Sequence, residues 1–119
     1  MNSRPEQLRD RTKAFALRVI RLFRSLPNKT DTQVLGKQLL RCGTSVAANY
    51  RAVCRARSKA EFVARLGIVA EEADEAVLWL ELLIESGILK SALTEGLLKE
   101  ARELAAILTA SRETARKAA

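Results

Sequence analysis

Leu8, Thr12, Phe15, Val19, Leu22 and Leu26 recur at spacings of four, three, four, three and four, and Ala16, Ile20 and Phe23 widen the stripe. This is the period by which a helix turns one face inward, and it predicts a first helix over residues 4–26. Pro5 falls in the first turn, where a missing N–H is harmless, and Pro27 opens the loop "PNKTD". A second helix over 31–56 carries Leu35, Leu39, Cys42, Val46, Tyr50 and Val53 on one arc. "SKAE" starts a third over 59–86, with Ser58 as N-cap and Glu61 three places on completing a capping box. Its stripe is Phe62, Leu66, Val69, Ala73, Ala76, Leu80 and Leu83, and Gly87 supplies the stop. A fourth over 92–116, begun at Ser91 or Thr94, turns Leu97, Ala101, Leu104, Leu108, Ser111 and Ala115 inward. No stretch alternates with the period of a strand. Short connections between four long helices predict an all-α, antiparallel up-and-down four-helix bundle in a single domain over residues 1–119.

Composition narrows the function more by exclusion than by indication. No window approaches the roughly 18 uncharged apolar residues of a membrane span, so no membrane association is expected. The start "MNSRPEQLRDR" lacks the apolar run of a signal peptide. Cys42 and Cys54 lie on one helix, about 18 Å apart at about 1.5 Å per residue, too far to bridge within a subunit. A reduced, cytoplasmic protein is the expectation. The net charge of +7 hides an asymmetry. Residues 1–58 hold 13 Lys/Arg against 3 Asp/Glu, a net +10, whereas residues 59–119 hold 8 against 11, a net −3. A basic surface turned toward an acidic partner, nucleic acid first among them, is one reading; a merely solvated cationic face is the other.

The stretch "LLRCGTSVAANYRA" is unusual for a helix interior, because Gly, Ser, Thr and Asn all favour other conformations there. Gly36, Gly43, Ala47 and Cys54 share a narrow arc, where small side chains let a neighbouring helix come close. Asn49 falls inside the apolar arc with Ser45 one turn earlier, and a buried amide needs partners. Glu72, between Trp79 and Leu83 on the third helix, and Glu75 offer them. A buried polar network of Arg41, Ser45, Asn49, Glu72 and Glu75, fixing the register of the second and third helices, is therefore expected. The chain has no His. Acid/base catalysis has no second group to work with, and the Glu-x-x-His pairs of di-metal bundles are missing; no enzyme activity, metal or cofactor is expected. Ile68, Trp79 and Leu82 give the third helix a second apolar face, which predicts an oligomer interface, the alternative being that Trp79 closes the core from the side.

Residues Val34 to Leu89 resemble the bacterial four-helix-bundle family of 23S ribosomal RNA intervening-sequence proteins. The matching residues are Leu40-Arg41, Ser45-Val46-Ala47-Ala48-Asn49, Ala56-Arg57-Ser58 with Glu61-Phe62, Glu72-Ala73-Asp74-Glu75 and Trp79-Leu80. Cys42 and Cys54 are not part of that pattern. The resemblance implies a homopentameric ring, and it implies little chemistry. Related bundles are accessory proteins of diversity-generating retroelements, in which a basic pentamer binds nucleic acid and a polymerase.

On the first helix, Arg11 and Arg18 flank one edge of the apolar stripe and Lys13 and Arg24 the other, with Arg21 outward and Arg4 at the start. Arg51 and Arg55 extend a basic face on the second helix. These eight residues are the candidate nucleic-acid contacts, suited to RNA or DNA backbone rather than to bases. The alternative is a ring-shaped scaffold that recruits an acidic protein partner such as a polymerase.

Overall fold

The computed structural model describes residues 3–118 and contains all four expected helices: α1 Arg4–Ser25, α2 Thr30–Cys54, α3 Lys59–Glu85 and α4 Ser91–Lys117. Among the described residues there is no strand. The helix ends have local causes. Ser3 caps α1, its hydroxyl accepting from the Glu6 N–H at 3.3 Å. Ser58 caps α3 in the same way, accepting from the Glu61 N–H at 3.1 Å. The return half of that capping box lands one residue early, because the Glu61 carboxylate accepts from the Arg57 N–H at 3.5 Å instead of from Ser58. α3 stops where Gly87 adopts a φ of +84°, a conformation that a Cβ disfavours. The Leu89 N–H then folds back to the Leu83 carbonyl at 2.9 Å.

Consecutive helices run antiparallel and pack side by side, and a thinner α1–α4 seam closes the bundle. The predicted stripes meet in one core, with Phe15, Val19, Val46, Leu80, Leu104 and Leu108 almost wholly buried. Thr12, also fully buried, satisfies its hydroxyl locally by donating to the Arg9 carbonyl at 3.0 Å. Phe62 departs from its stripe. It is 37 % exposed and, with Arg4, Leu8 and Tyr50, rims an open groove at the end of the bundle where α1 begins and α4 ends.

The neighbour that the small residues of α2 admit is α1. A Cβ on Gly43 would lie 2.9 Å from both methyls of Val19, and one on Gly36 would lie 2.6 Å from Leu26 Cδ1. Both contacts are to α1 and the residues that follow it, so these glycines set the α1–α2 approach and not the α2–α3 register. The consequence for charge is direct. The two basic helices are drawn together as one side of the bundle, and the acidic remainder, α3 and α4, forms the other.

Candidate nucleic-acid interface

Near the start of α1 and the end of α2, Arg9, Asp10, Lys13, Arg51, Cys54 and Arg55 line a cleft of about 470 Å³. Four cations face one carboxylate there. The Arg9–Asp10 contact is long at 4.0 Å, while Lys13, Arg51 and Arg55 make no ion pair among the described residues. Arg51 and Arg55 also border a second cleft of about 490 Å³ with Ala48, Ala52, Arg57, Glu61 and Arg65. They therefore form a ridge between two depressions. On the far side Glu61 is already engaged, accepting from Arg65 at 3.0 Å, and that bond holds its carboxyl below the ordinary range. The near side keeps a surplus of positive charge, four cations to one carboxylate.

The structure divides the eight predicted contacts. Lys13, Arg51 and Arg55 converge on the cleft, and Arg9, which lies on the same side of α1, joins them. Arg21 and Arg24 are exposed further along α1, and Arg4 stands apart at the bundle-end groove. Arg11 is corrected. It turns to α4 and forks onto Glu100, through Nε to Oε2 at 2.8 Å and Nη2 to Oε1 at 2.7 Å, and reaches Glu103 at 2.8 Å. A bidentate pair of this kind binds the guanidinium firmly and leaves little positive field for a ligand. Arg18 lies along the same seam, over Gly96 and within reach of the Glu100 charge.

The hydrogen bond from Arg11 holds the Glu100 carboxyl below its usual range, and its reach is felt in stability. The fold favours the charged form. Its contribution is therefore complete above the unfolded value of about 4.3 and fades as pH falls through the lower, folded value. Glu100→Gln should cost about 1 kcal/mol at neutral pH, as a half-buried charged pair would. It should also flatten the stability curve on the acid side; urea unfolding at pH 7 and pH 3 checks both.

Aromatic side chains are poorly placed for bases. Tyr50 is 4 % exposed, and burial, followed by its contact with Cys54, pushes its hydroxyl up to about 12. Phe15 is in the core. The cleft offers charge without stacking platforms, which suits phosphate and not sequence.

The expected polar network is smaller and wetter than the sequence suggested. Arg41 does bridge α2 to α3, meeting Glu72 at 3.4 Å and Glu75 at 3.6 Å, and also contacts Gln38 and the Cys42 sulfur. The Arg41 and Glu75 side chains are nearly half exposed, at 49 % and 46 %, so this is a surface clasp and not a buried network. Ser45 and Asn49 are half-buried, and their side chains make no hydrogen bond among the described residues. On α3, Ile68 and Leu82 are exposed as expected, joined by Leu78, and Val34 of α2 is more exposed still. Trp79 is different: it packs half-buried against the core, and its indole N–H is buried.

Fold and surface together define a helical bundle with a basic side and exposed apolar residues, most of them on α3. The chain belongs to the 23S rRNA-intervening sequence protein family, whose model matches residues 6–110. A solved structure from Bacteroides thetaiotaomicron VPI-5482, a protein with unknown function from the S23 ribosomal protein family, is similar to it at 32% identity and a TM-score of 0.85. The alignment covers 93% of this chain and 99% of that one. Among the curated proteins, none matches. No described helix is long and apolar enough to cross a membrane.

Proposed function

We propose that the protein is a non-enzymatic, oligomeric module that binds the backbone of RNA or DNA through the α1–α2 side of its bundle, in the cytoplasm. The observation that carries this reading is the cleft where Arg9, Lys13, Arg51 and Arg55 surround a single Asp10. Clustered like charges cost self-repulsion, and a polyanion removes that cost while releasing its own counterions. Folding back an α1 arginine onto Glu100 marks the contrast: Arg11 is firmly paired, whereas Lys13, Arg51 and Arg55 of the cleft are left to solvent.

Self-association is the second part of the proposal. Val34, Ile68, Leu78 and Leu82 are each at least 40 % exposed. Covering them with copies of the chain, in the pentameric ring that the family resemblance implies, removes apolar surface from water. A ring would also present several basic clefts to one nucleic acid, so that weak contacts add through effective concentration. Light scattering should give a mass near five times the 13.2 kDa subunit. Ile68→Asp with Leu82→Asp should shift it to the monomer. Retained mass in that variant would remove this face from the interface. An assembly that ignores RNA and heparin but retains a folded acidic protein would transfer the reading to the scaffold alternative.

A further inference from the structure

At the end of the bundle where α1 begins and α4 ends, the core runs out of bulk on one side only. The inward stripe of α4 passes from Leu97, Leu104 and Leu108 to Ser111 and Ala115, so its last turns present no large side chain there. The other three helices keep theirs: Leu8 on α1, Tyr50 on α2, and Phe62 and Leu66 on α3. The small residues of α4 leave unfilled a groove of about 530 Å³ with a wall from each helix. The same shortfall accounts for Phe62, which lies on the inward stripe by spacing and yet is exposed.

Two further features mark this groove as a place for a ligand and not as a packing defect. The first is that its hydroxyls are unused. Elsewhere the hydroxyls of Thr12, Thr44 and Thr94 donate to carbonyls of their own helices, at 3.0, 2.8 and 3.0 Å. Those of Ser111 and Thr114, one turn apart on the α4 wall, make no hydrogen bond among the described residues. The second is Arg4, on the α1 wall. It makes no ion pair among the described residues, and no described carboxylate lines the groove to oppose its charge. Its guanidinium is also near enough to the Tyr50 hydroxyl to act on it electrostatically. One cation and a few hydroxyls over an apolar and aromatic wall is the pattern of small-molecule sites, whose volumes run from about 300 to about 1,000 Å³.

We infer that the groove binds one small apolar carboxylate per chain, its body laid against Leu8, Phe62 and Leu66 and its acid group held by Arg4. A guanidinium pairs bidentately with a carboxylate, and the pairing strengthens beside an apolar wall, where the local dielectric is low. Ser111 and Thr114 supply hydroxyl donors to the carboxylate lone pairs that Arg4 leaves over. An aromatic body suits the site best, because Phe62 offers its ring for stacking or edge contact. A second copy of the chain fits less well. Arg4 and, in the last turn of α4, Lys117 stand at this end, so two copies meeting there would bring like charges together. A nucleic acid would satisfy Arg4 and leave the apolar wall uncovered.

Calorimetric titration of the full chain with 2-naphthoate tests this directly, beside 2-naphthamide and 2-naphthylmethylamine as neutral and cationic controls. The expected result is saturable binding of one naphthoate per chain, about tenfold weaker binding of the amide, and none of the amine. Arg4→Gln should bring the acid down to the level of the amide. Ala115→Leu, which fills the groove from α4, should abolish binding of both. No binding at about 1 mM naphthoate, an amide bound as tightly as the acid, or an affinity unchanged by Ala115→Leu overturns the inference. Should Ala115→Leu fail to fold, Arg4→Gln decides, since that side chain is exposed and outside the core: an unchanged naphthoate affinity there also overturns it.

Discussion

Replacing Lys13, Arg51 and Arg55 together by Ser should lower affinity for a short RNA duplex about a hundredfold at low salt. Three exposed charge contacts at about 1 kcal/mol each give about 3 kcal/mol, and about 1.4 kcal/mol is tenfold. The dependence of log K on log salt should flatten by close to 3, since each lost phosphate contact removes about 0.9 from the slope. Stability should stay within about 0.5 kcal/mol of wild type, because none of the three side chains is packed or paired within the fold. Arg11→Ser provides the internal contrast. It should weaken RNA binding only slightly and destabilise the bundle, because its guanidinium is held by Glu100 and Glu103. If Arg11→Ser costs more binding than the triple variant, the interface lies on the α1–α4 seam and the cleft is an ordinary solvated surface.

Gly43→Ala should destabilise the bundle even though Ala is the better helix former by about 1 kcal/mol. The added methyl would sit 2.9 Å from both γ carbons of Val19 and 3.1 Å from its Cβ, so no rotation of that fully buried side chain clears it. Overpacking of this kind costs about 1–3 kcal/mol. A net loss in that range lowers Tm by about 4 °C for each kcal/mol in a domain of this size. Val19→Ala in the same chain should recover part of the loss, giving a favourable coupling in a double-mutant cycle. Gly96→Ala should act with the opposite sign. It is exposed, its new methyl would meet only the tip of the mobile Arg18 side chain at 3.3 Å, and a gain of about 0.5–1 kcal/mol follows from propensity alone.

These two predictions mark what could be read along the chain and what could not. The helices and their inward faces were legible because each stripe repeats over five or more turns, and because Ser58, Glu61 and Gly87 punctuate the third helix at the positions its backbone demands. A helical wheel gives the angle of a side chain but not which neighbour stands at that angle. So the arc of Gly36 and Gly43 could be found while its partner, α1, could not. The same gap hid the fork of Arg11 onto Glu100, 89 residues away in sequence. It also separated Cys42 from Glu72 and Glu75, which are joined only when α2 and α3 are laid together. Burial was overestimated for Arg41 and Asn49, because apolar neighbours on a wheel do not reveal how near a helix pair's edge is to water. Arg9 entered the cleft for the converse reason: α1 and α2 converge enough at that end to bring its flank into reach of Arg51 and Arg55.

The central claim is that the α1–α2 side is built for a polyanion, and the most direct measurement is wild-type affinity for a short RNA duplex across a salt series. The account predicts binding at low salt with log K falling linearly in log salt, at a slope of about −3.6 for four phosphate contacts in one cleft and steeper if several clefts engage. Absence of binding at about 50 mM salt, or an affinity indifferent to salt, would contradict it.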